Sequence, residues 1–200
     1  MTDLADRRDV ETEVYQPAED SHLLAEAVVA DLQEHSVHPR DAPANLALEV
    51  GTGSGYVAEQ VADRTGARVL GSDLNPHACR QARARGVEAV RADLLDPFRP
   101  NVFDAVLFNP PYLPTDPEDE RDDWMEVALS GGEDGRAVVE PFVASVGRVL
   151  DPDGAVYLLV SSLTGVDEVV EMAAAEGFSA VALRDESFPF ETLTVLKLVR

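Results

Sequence analysis

Asn109, Pro110, Pro111 and Tyr112 follow directly on the apolar run "VFDAVLF" at residues 102–108. A proline cannot extend a sheet ladder, and it pushes its predecessor out of the helical region. Asn109 is therefore expected at a strand end, extended, on a stiff backbone and beside an aromatic ring. Its side chain offers a carbonyl acceptor, and Pro110 offers a backbone carbonyl with no N–H of its own. Two acceptors converging on one point suit a planar NH₂ group with two protons to give. Tyr112 can stack on the flat face of that group or on its carrier. For the tetrapeptide alone, a proline-rich turn capped by Asn is the plainer alternative.

A second set of chemically capable residues lies upstream. In "EVGTGSG" at residues 49–55, a first strand turns into a helix. Glycines there let the backbone approach a ligand, and the helix N-terminus offers free N–H groups. The nicotinamide fingerprint needs a sixth-position glycine counted from Gly51; Tyr56 stands there, which weakens that reading. Glu49 would repel a pyrophosphate but welcome the cationic end of an amino acid. Asp73 falls at the end of "RVLGSD", where an acidic side chain can accept from both ribose hydroxyls. A helix cap ahead of "NPHAC" is its alternative role. Asp93 closes "VEAVRAD", at the level of an adenine amino group. Together Glu49, Gly51, Gly53, Asp73 and Asp93 describe an adenosine-bearing cofactor with a positive, non-phosphate tail. S-adenosylmethionine fits that description.

The elements that must position these residues alternate between two periods. "LALEV", "RVLGSD", "VEAVRAD", "VFDAVLF" and "GAVYLLVSS" read as strands, followed by "FSAVALRDE" and "ETLTVLKLVR". Between them run helical patterns. One lies in "VYQPAEDSHLLAEAVVADLQEH", capped by Asp20 or Ser21, with Leu23, Leu24, Ala27, Val28 and Leu32 on one face. A second ends near Gly66. A third is capped by Asn75, with Pro76 in its first turn and Gly86 at its end. "GRAVVEPFVASVGRVL" tolerates Pro141 only near its start, and "GVDEVVEMAAAEG" is the last. Alternation predicts an α/β fold with a seven-stranded, mostly parallel sheet covered on both faces, the last strand antiparallel. Such sheets bind ligands at the carboxyl ends of their strands, where the strand order reverses. Residues 1–14 read as a mobile acidic lead-in and residues 15–200 as one domain.

Composition narrows the partners. The chain has 200 residues, 45% hydrophobic, with 38 acidic against 16 basic residues and a net charge of −22. Only Lys197 is a lysine. Such a surface repels nucleic-acid phosphates. The acid is spread over every segment, which favours adaptation to a salt-rich cytoplasm over attraction of one basic partner. No run is apolar enough to span a bilayer, and "MTDLADRRDVETEV" lacks a signal-peptide core. The single cysteine, Cys79, excludes an internal disulfide and fits a cytoplasmic location. His22, His35, His38 and His77 show no ligand spacing, so no metal site is expected.

Asn-Pro-Pro-Tyr, taken with "VYQPAED", "EVGTGSG", "GSDLNP", "RADLLDPF", "GGEDGR" and "LDPDGAVYLLV", resembles the HemK/PrmC family of glutamine-amide methyltransferases. The likeness is to the archaeal and eukaryotic branch that modifies class I translation release factors, and it runs from Val14 to the final strand. It implies a Rossmann-like class I methyltransferase fold using S-adenosylmethionine. By that likeness Ser21, Glu49, Gly51, Gly53, Asp73, Asp93 and Asn109 contact the cofactor. Asn109, Pro110, Pro111 and Tyr112 bind the substrate glutamine in a release factor's Gly-Gly-Gln motif, with Asn109, Pro110 and Tyr112 serving catalysis. It further implies a small zinc-binding activator subunit adding a strand at the exposed edge of "VEAVRAD". Gln16 and Ser21 depart from the family's commoner acid and threonine. The insert "DPEDERDD" before Trp124 is more acidic than the family pattern and reads as a solvated loop.

Two related chemistries compete. An adenine-directed nucleic-acid methyltransferase also acts on a planar NH₂ group, but the charge, the lack of a basic face and the lack of a target-recognition domain oppose it. Methylation of protein lysine suits a paired amide acceptor poorly. A non-catalytic, cofactor-binding scaffold would have no use for the intact tetrapeptide.

Overall fold

A computed structural model of the chain describes residues 13–34, 45–115 and 123–200. Its strands are β1 (Leu46–Val50), β2 (Arg68–Asp73), β3 (Glu88–Arg91), β4 (Phe103–Phe108), β5 (Leu150–Ser161), β6 (Ser179–Ser187) and β7 (Thr192–Val199). Its helices are α1 (Glu19–Glu34), α2 (Tyr56–Thr65), α3 (Pro76–Ala84), α4 (Trp124–Leu129), α5 (Val139–Val149) and α6 (Val166–Ala175). The strands form one sheet in the order β3-β2-β1-β4-β5-β7-β6. β1 to β5 pair in parallel, and β7 lies antiparallel between β5 and β6.

The placement of β7 follows from burial. Its "TLTVLKLV" carries a continuous apolar run with both faces covered, whereas β6 is largely exposed and takes the edge. β3, four residues long, forms the other edge.

Strand residues alternate between two cores, as a period of two requires. Ala105, Leu107, Tyr157, Leu159 and Val195 face α1, α2 and α3. Val106, Phe108, Leu158, Val160 and Leu196 face α5 and α6. Each fully buried aliphatic side chain contributes roughly 1.5–3 kcal/mol. That stabilisation fixes the register Val50↔Phe108 between β1 and β4. The glycine loop after β1 and Asn109 after β4 therefore leave the sheet side by side, at the point where the strand order reverses.

Several helix ends sit where the sequence puts them. The Asn75 side chain accepts from the His77 N–H at 2.8 Å, Pro76 opens α3, and Gly66 closes α2 with its N–H on the Ala62 carbonyl. Pro141 lies in the first turn of α5, where its missing donor costs no helical bond.

Other expectations are corrected. Asp20 and Ser21 do not cap α1; the helix begins at Glu19, and both are buried in its first turn. β5 starts at Leu150, earlier than "GAVYLLVSS", with a register shift against β4. The six-residue α4 was not expected, although the signal was present: Asp123 caps it by accepting from the Glu126 N–H at 2.9 Å, a D-x-x-E pattern. Of the lead-in assigned to residues 1–14, residues 1–12 lie outside the described residues. Glu13 and Val14 are fastened: Val14 is 1% exposed, and the Glu13 carbonyl accepts from Asn75 Nδ2 at 2.6 Å. Residues 36–44 of the proline-containing link and residues 116–122 of the acidic insert also lie outside the described residues. No described helix is long and apolar enough to cross a membrane.

Candidate active site

At the carboxyl ends of β1, β2 and β4 opens a cavity of about 530 Å³. All ten residues singled out from the sequence line it: Ser21, Glu49, Gly51, Gly53, Asp73, Asp93, Asn109, Pro110, Pro111 and Tyr112. They come from five segments that only the sheet brings together.

The glycine loop is tied to β2 through one carboxylate. Asp73 Oδ2 accepts the Gly53 N–H at 2.9 Å, and Oδ1 accepts the Asn75 N–H at 2.8 Å. Gly53 adopts φ +50°, a left-handed conformation that points its N–H at Asp73 without the strain a side chain would add. Asp73 is not the cap of the "NPHAC" helix, which is Asn75. Asp73 organises the start of that helix, and each oxygen keeps a lone pair for a ligand hydroxyl. Burial pushes its carboxyl upward.

Glu49 is 4% exposed. Its Oε2 accepts from Thr52 Oγ1 at 2.6 Å and from the Ala58 N–H at 3.0 Å. These two donors do not offset the loss of water, and burial pushes the carboxyl up to about 8. A buried acid held near neutrality gains its charge most easily when a cation arrives beside it. That is the electrostatic match for a sulfonium or ammonium ligand, and it fits S-adenosylmethionine. Asp93 lies exposed at the rim, and Leu94 next to it lines the cavity with φ +42°. A left-handed leucine is a strained feature, of the kind that collects at ligand sites.

Asn109 is fixed by a residue 89 positions away. Its Nδ2 donates to Asp20 Oδ2 at 2.9 Å, and Tyr15 Oη donates to the same oxygen at 3.2 Å. Asp20 Oδ1 accepts from the Ser21 N–H at 2.6 Å and from Ser21 Oγ at 3.2 Å. With Nδ2 committed, Asn109 Oδ1 is left buried and without a hydrogen-bond partner. An orphaned acceptor of this kind costs about 1–3 kcal/mol. A donor brought by a ligand would satisfy it.

Beyond Asn109 the backbone is held from the opposite side. The Leu113 N–H donates to the Leu129 carbonyl at 3.0 Å, and the Gly131 N–H donates to the Leu113 carbonyl at 2.9 Å. A Cβ on Gly135 would fall 2.6 Å from the Tyr112 carbonyl oxygen, so the "GGEDGR" turn can pack against Tyr112 only as glycine. The Tyr15 and Tyr112 phenols are pushed far above their ordinary range, first by burial and then by the nearby Asp20 charge. Both stay protonated. No His, Lys or Cys among the described residues lines the cavity.

The sequence did not single out Asp20 as part of the site, nor Leu94, Trp124 or Glu191. An acid before an apolar helical run usually caps it, so the local pattern at Asp20 points to a cap and not to the site. Glu191 reaches the cavity from the β6–β7 turn and accepts from Ser161 Oγ at 2.6 Å. No local pattern marks it.

Residues 48–110 match the methyltransferase domain family. A Methanocaldococcus jannaschii protein, provisionally named protein N5-glutamine methyltransferase MJ0928, is 34% identical over 94% of this chain and 92% of its own. The human methyltransferase HEMK2 is 32% identical over 94% of this chain and 91% of its own. The solved E. cuniculi Mtq2–Trm112 complex, described as responsible for methylating the translation termination factor eRF1, aligns with a TM-score of 0.75. That alignment has 30% identity and covers 94% of this chain and 99% of the matched one.

Proposed function

Because this chain belongs to the HemK family of protein-glutamine methyltransferases, in the branch that includes HEMK2 and Mtq2, we propose that it methylates the side-chain amide nitrogen of glutamine in a class I release factor's Gly-Gly-Gln motif. The observation that carries this reading is the buried, unpartnered Oδ1 of Asn109 beside the cavity. An amide NH₂ group is the donor it lacks.

S-adenosylmethionine is the cofactor and supplies, when bound, a methyl group made electrophilic by its sulfonium. Glu49, Asp73, Asp93 and Ser21, with the glycine loop, are the groups that would hold it. An amide nitrogen is a weak nucleophile because its lone pair is delocalised into the carbonyl. The protein must therefore supply orientation and electron density more than a strong base. Asn109 Oδ1 and the Pro110 carbonyl accept the two N–H protons, which holds the nitrogen in line and enriches it. Tyr112 forms a wall against the amide plane. With no histidine, lysine or cysteine at the cavity among the described residues, the excess proton passes to water after transfer.

The partners are a release factor and a small activator subunit. We assign the activator to the β3 edge and take it to be zinc-binding, by family resemblance. Support comes from β3, which among the described residues pairs on one side only, and from Val90 on that strand and Leu74 just after β2, 37% and 42% exposed. A protein acting in translation termination belongs in the cytoplasm.

The test is transfer of labelled methyl from S-adenosylmethionine to a release factor in high potassium chloride, with activator present. Peptide mass spectrometry then locates the label. Label on the glutamine of Gly-Gly-Gln is expected. Label on lysine or on nucleic acid, with glutamine unmodified, overturns the reading.

A further inference from the structure

We propose that Asp20 is a positioning residue for catalysis: it orients and polarises the Asn109 side-chain amide so that its oxygen, not its nitrogen, meets the substrate. This rests on the glutamine-methyltransferase reading above.

An asparagine amide has two nearly isosteric ends, one a donor and the other an acceptor. Nothing in Asn109 itself decides which end faces the reacting group, and its proline-fixed backbone does not restrict rotation about the terminal bond. The wrong end would present N–H donors to an amide NH₂, donor against donor. Asp20 removes the ambiguity. Its Oδ2 lies 2.9 Å from Asn109 Nδ2, and a carboxylate accepts but cannot donate. Only one of the two flips is therefore compatible with Asp20. The leftover Oδ1 is the atom found buried and unpartnered.

Asp20 is itself held by three donors from two residues. Tyr15 Oη, the Ser21 N–H and Ser21 Oγ all donate to it, and it is 4% exposed. Its Oδ2 is shared between Tyr15 and Asn109, and its Oδ1 is taken by Ser21. A carboxylate so fixed cannot swing away to solvate itself.

The charge has a second consequence. A hydrogen bond to a carboxylate is stronger than one to a neutral acceptor and draws electron density through the amide toward its oxygen. Asn109 Oδ1 becomes a better acceptor for the substrate N–H. Transfer of a methyl group to the substrate would place positive charge on its amide nitrogen. A fixed negative charge relayed through Asn109 is then placed to stabilise it. Asp20 does this without touching the substrate, so its part is orientation and field.

The test separates this role from a purely structural one. In wild-type protein with activator, methylation of a Gly-Gly-Gln peptide is measured first. Failure there defeats the parent reading and not this inference. Given activity, Asp20→Ala is expected to lower kcat/KM for the peptide by about a hundredfold. Cofactor affinity measured by calorimetry should fall by less than about tenfold, because Ser21 loses its partner while the glycine loop, Glu49 and Asp73 are untouched. Asp20→Asn, close in shape and able to accept from Asn109 but uncharged, should fall between Asp20→Ala and wild type.

The decisive arm is a swap. Asn109→Asp alone sets two carboxylates side by side, which forces one to hold a proton. Adding Asp20→Asn restores a donor–acceptor pair with the roles exchanged, and the oxygen left over at position 109 again accepts. The double variant should recover at least about tenfold over Asn109→Asp alone, a coupling that mere packing would not give. Unchanged kcat/KM in Asp20→Ala, parallel loss of cofactor affinity, or no recovery in the swap each overturns the proposal.

Discussion

Asp31 in the penultimate turn of α1 and Lys197 on β7 form a buried ion pair, with Nζ 2.7 Å from Oδ2 and side chains 7% and 19% exposed respectively. Tyr157 on β5 donates its hydroxyl to the same Oδ2 at 2.6 Å. Lys197 is the only lysine of the chain. The pair pins the C-terminal half of α1 to the sheet, and the N-terminal half carries Asp20 and Ser21.

Lys197→Met should therefore destabilise the protein by about 3 kcal/mol, because it takes the lysine ammonium away from a buried carboxylate. For a chain of this size that is a fall in melting temperature of about 10 °C, read by calorimetry. Lys197→Met with Asp31→Asn should be milder than Lys197→Met alone.

Asn109→Ala removes the orphaned acceptor and, with it, the Nδ2 donor to Asp20. Turnover on a release-factor substrate should fall by about a hundred- to a thousandfold. Cofactor affinity, measured by calorimetry, should stay within about tenfold, or roughly 1.4 kcal/mol. Cofactor binding lost together with turnover would contradict the division of roles proposed for the site.

Glu49 makes cofactor binding depend on pH. Its carboxyl stands at about 8 in the ligand-free fold, against an ordinary value of 4.5. Between those values the folded state holds the extra proton, so the Glu49 contribution to stability is present at low pH and is lost as pH rises through 8. Glu49→Gln should flatten that part of the stability profile relative to wild type. A cationic ligand favours the carboxylate and lowers its pKa, so binding below pH 8 releases a proton and affinity climbs toward that pH. Calorimetry in buffers of different ionisation enthalpy should detect this proton in wild type and not in Glu49→Gln.

At the β3 edge, Val90→Glu should abolish co-elution with the activator subunit, since it sets a charge on the exposed apolar rim of that strand. Cofactor affinity and helix content should stay at wild-type levels, because Val90 lies outside the cavity. Retained co-elution would move the activator to another surface.

Much of the fold was legible because it rests on period and punctuation. Strands of six residues with an apolar centre, proline and asparagine at the start of α3, and glycine at the end of α2 act locally, so the sequence carries them openly. The short helix α4 was missed because six residues offer little periodic signal, even with its cap in place. The order of β6 and β7 depends on which strand has more apolar surface to cover, a comparison that is made only when the sheet assembles.

For the site, the order of residues along the chain sets which groups are available. A glycine loop after one strand, acids closing the next two and Asn-Pro-Pro-Tyr after the fourth are fixed by residue type and local backbone geometry. The tertiary structure decided how those groups are set. Packing buries Glu49 and raises its carboxyl to about 8, and it splits Asp73 between Gly53 and Asn75. It also brings Asp20 across 89 residues to Asn109, which leaves one oxygen without a partner. Burial, desolvation and long-range hydrogen bonding depend on what surrounds a residue in space, and no spacing along the chain encodes them.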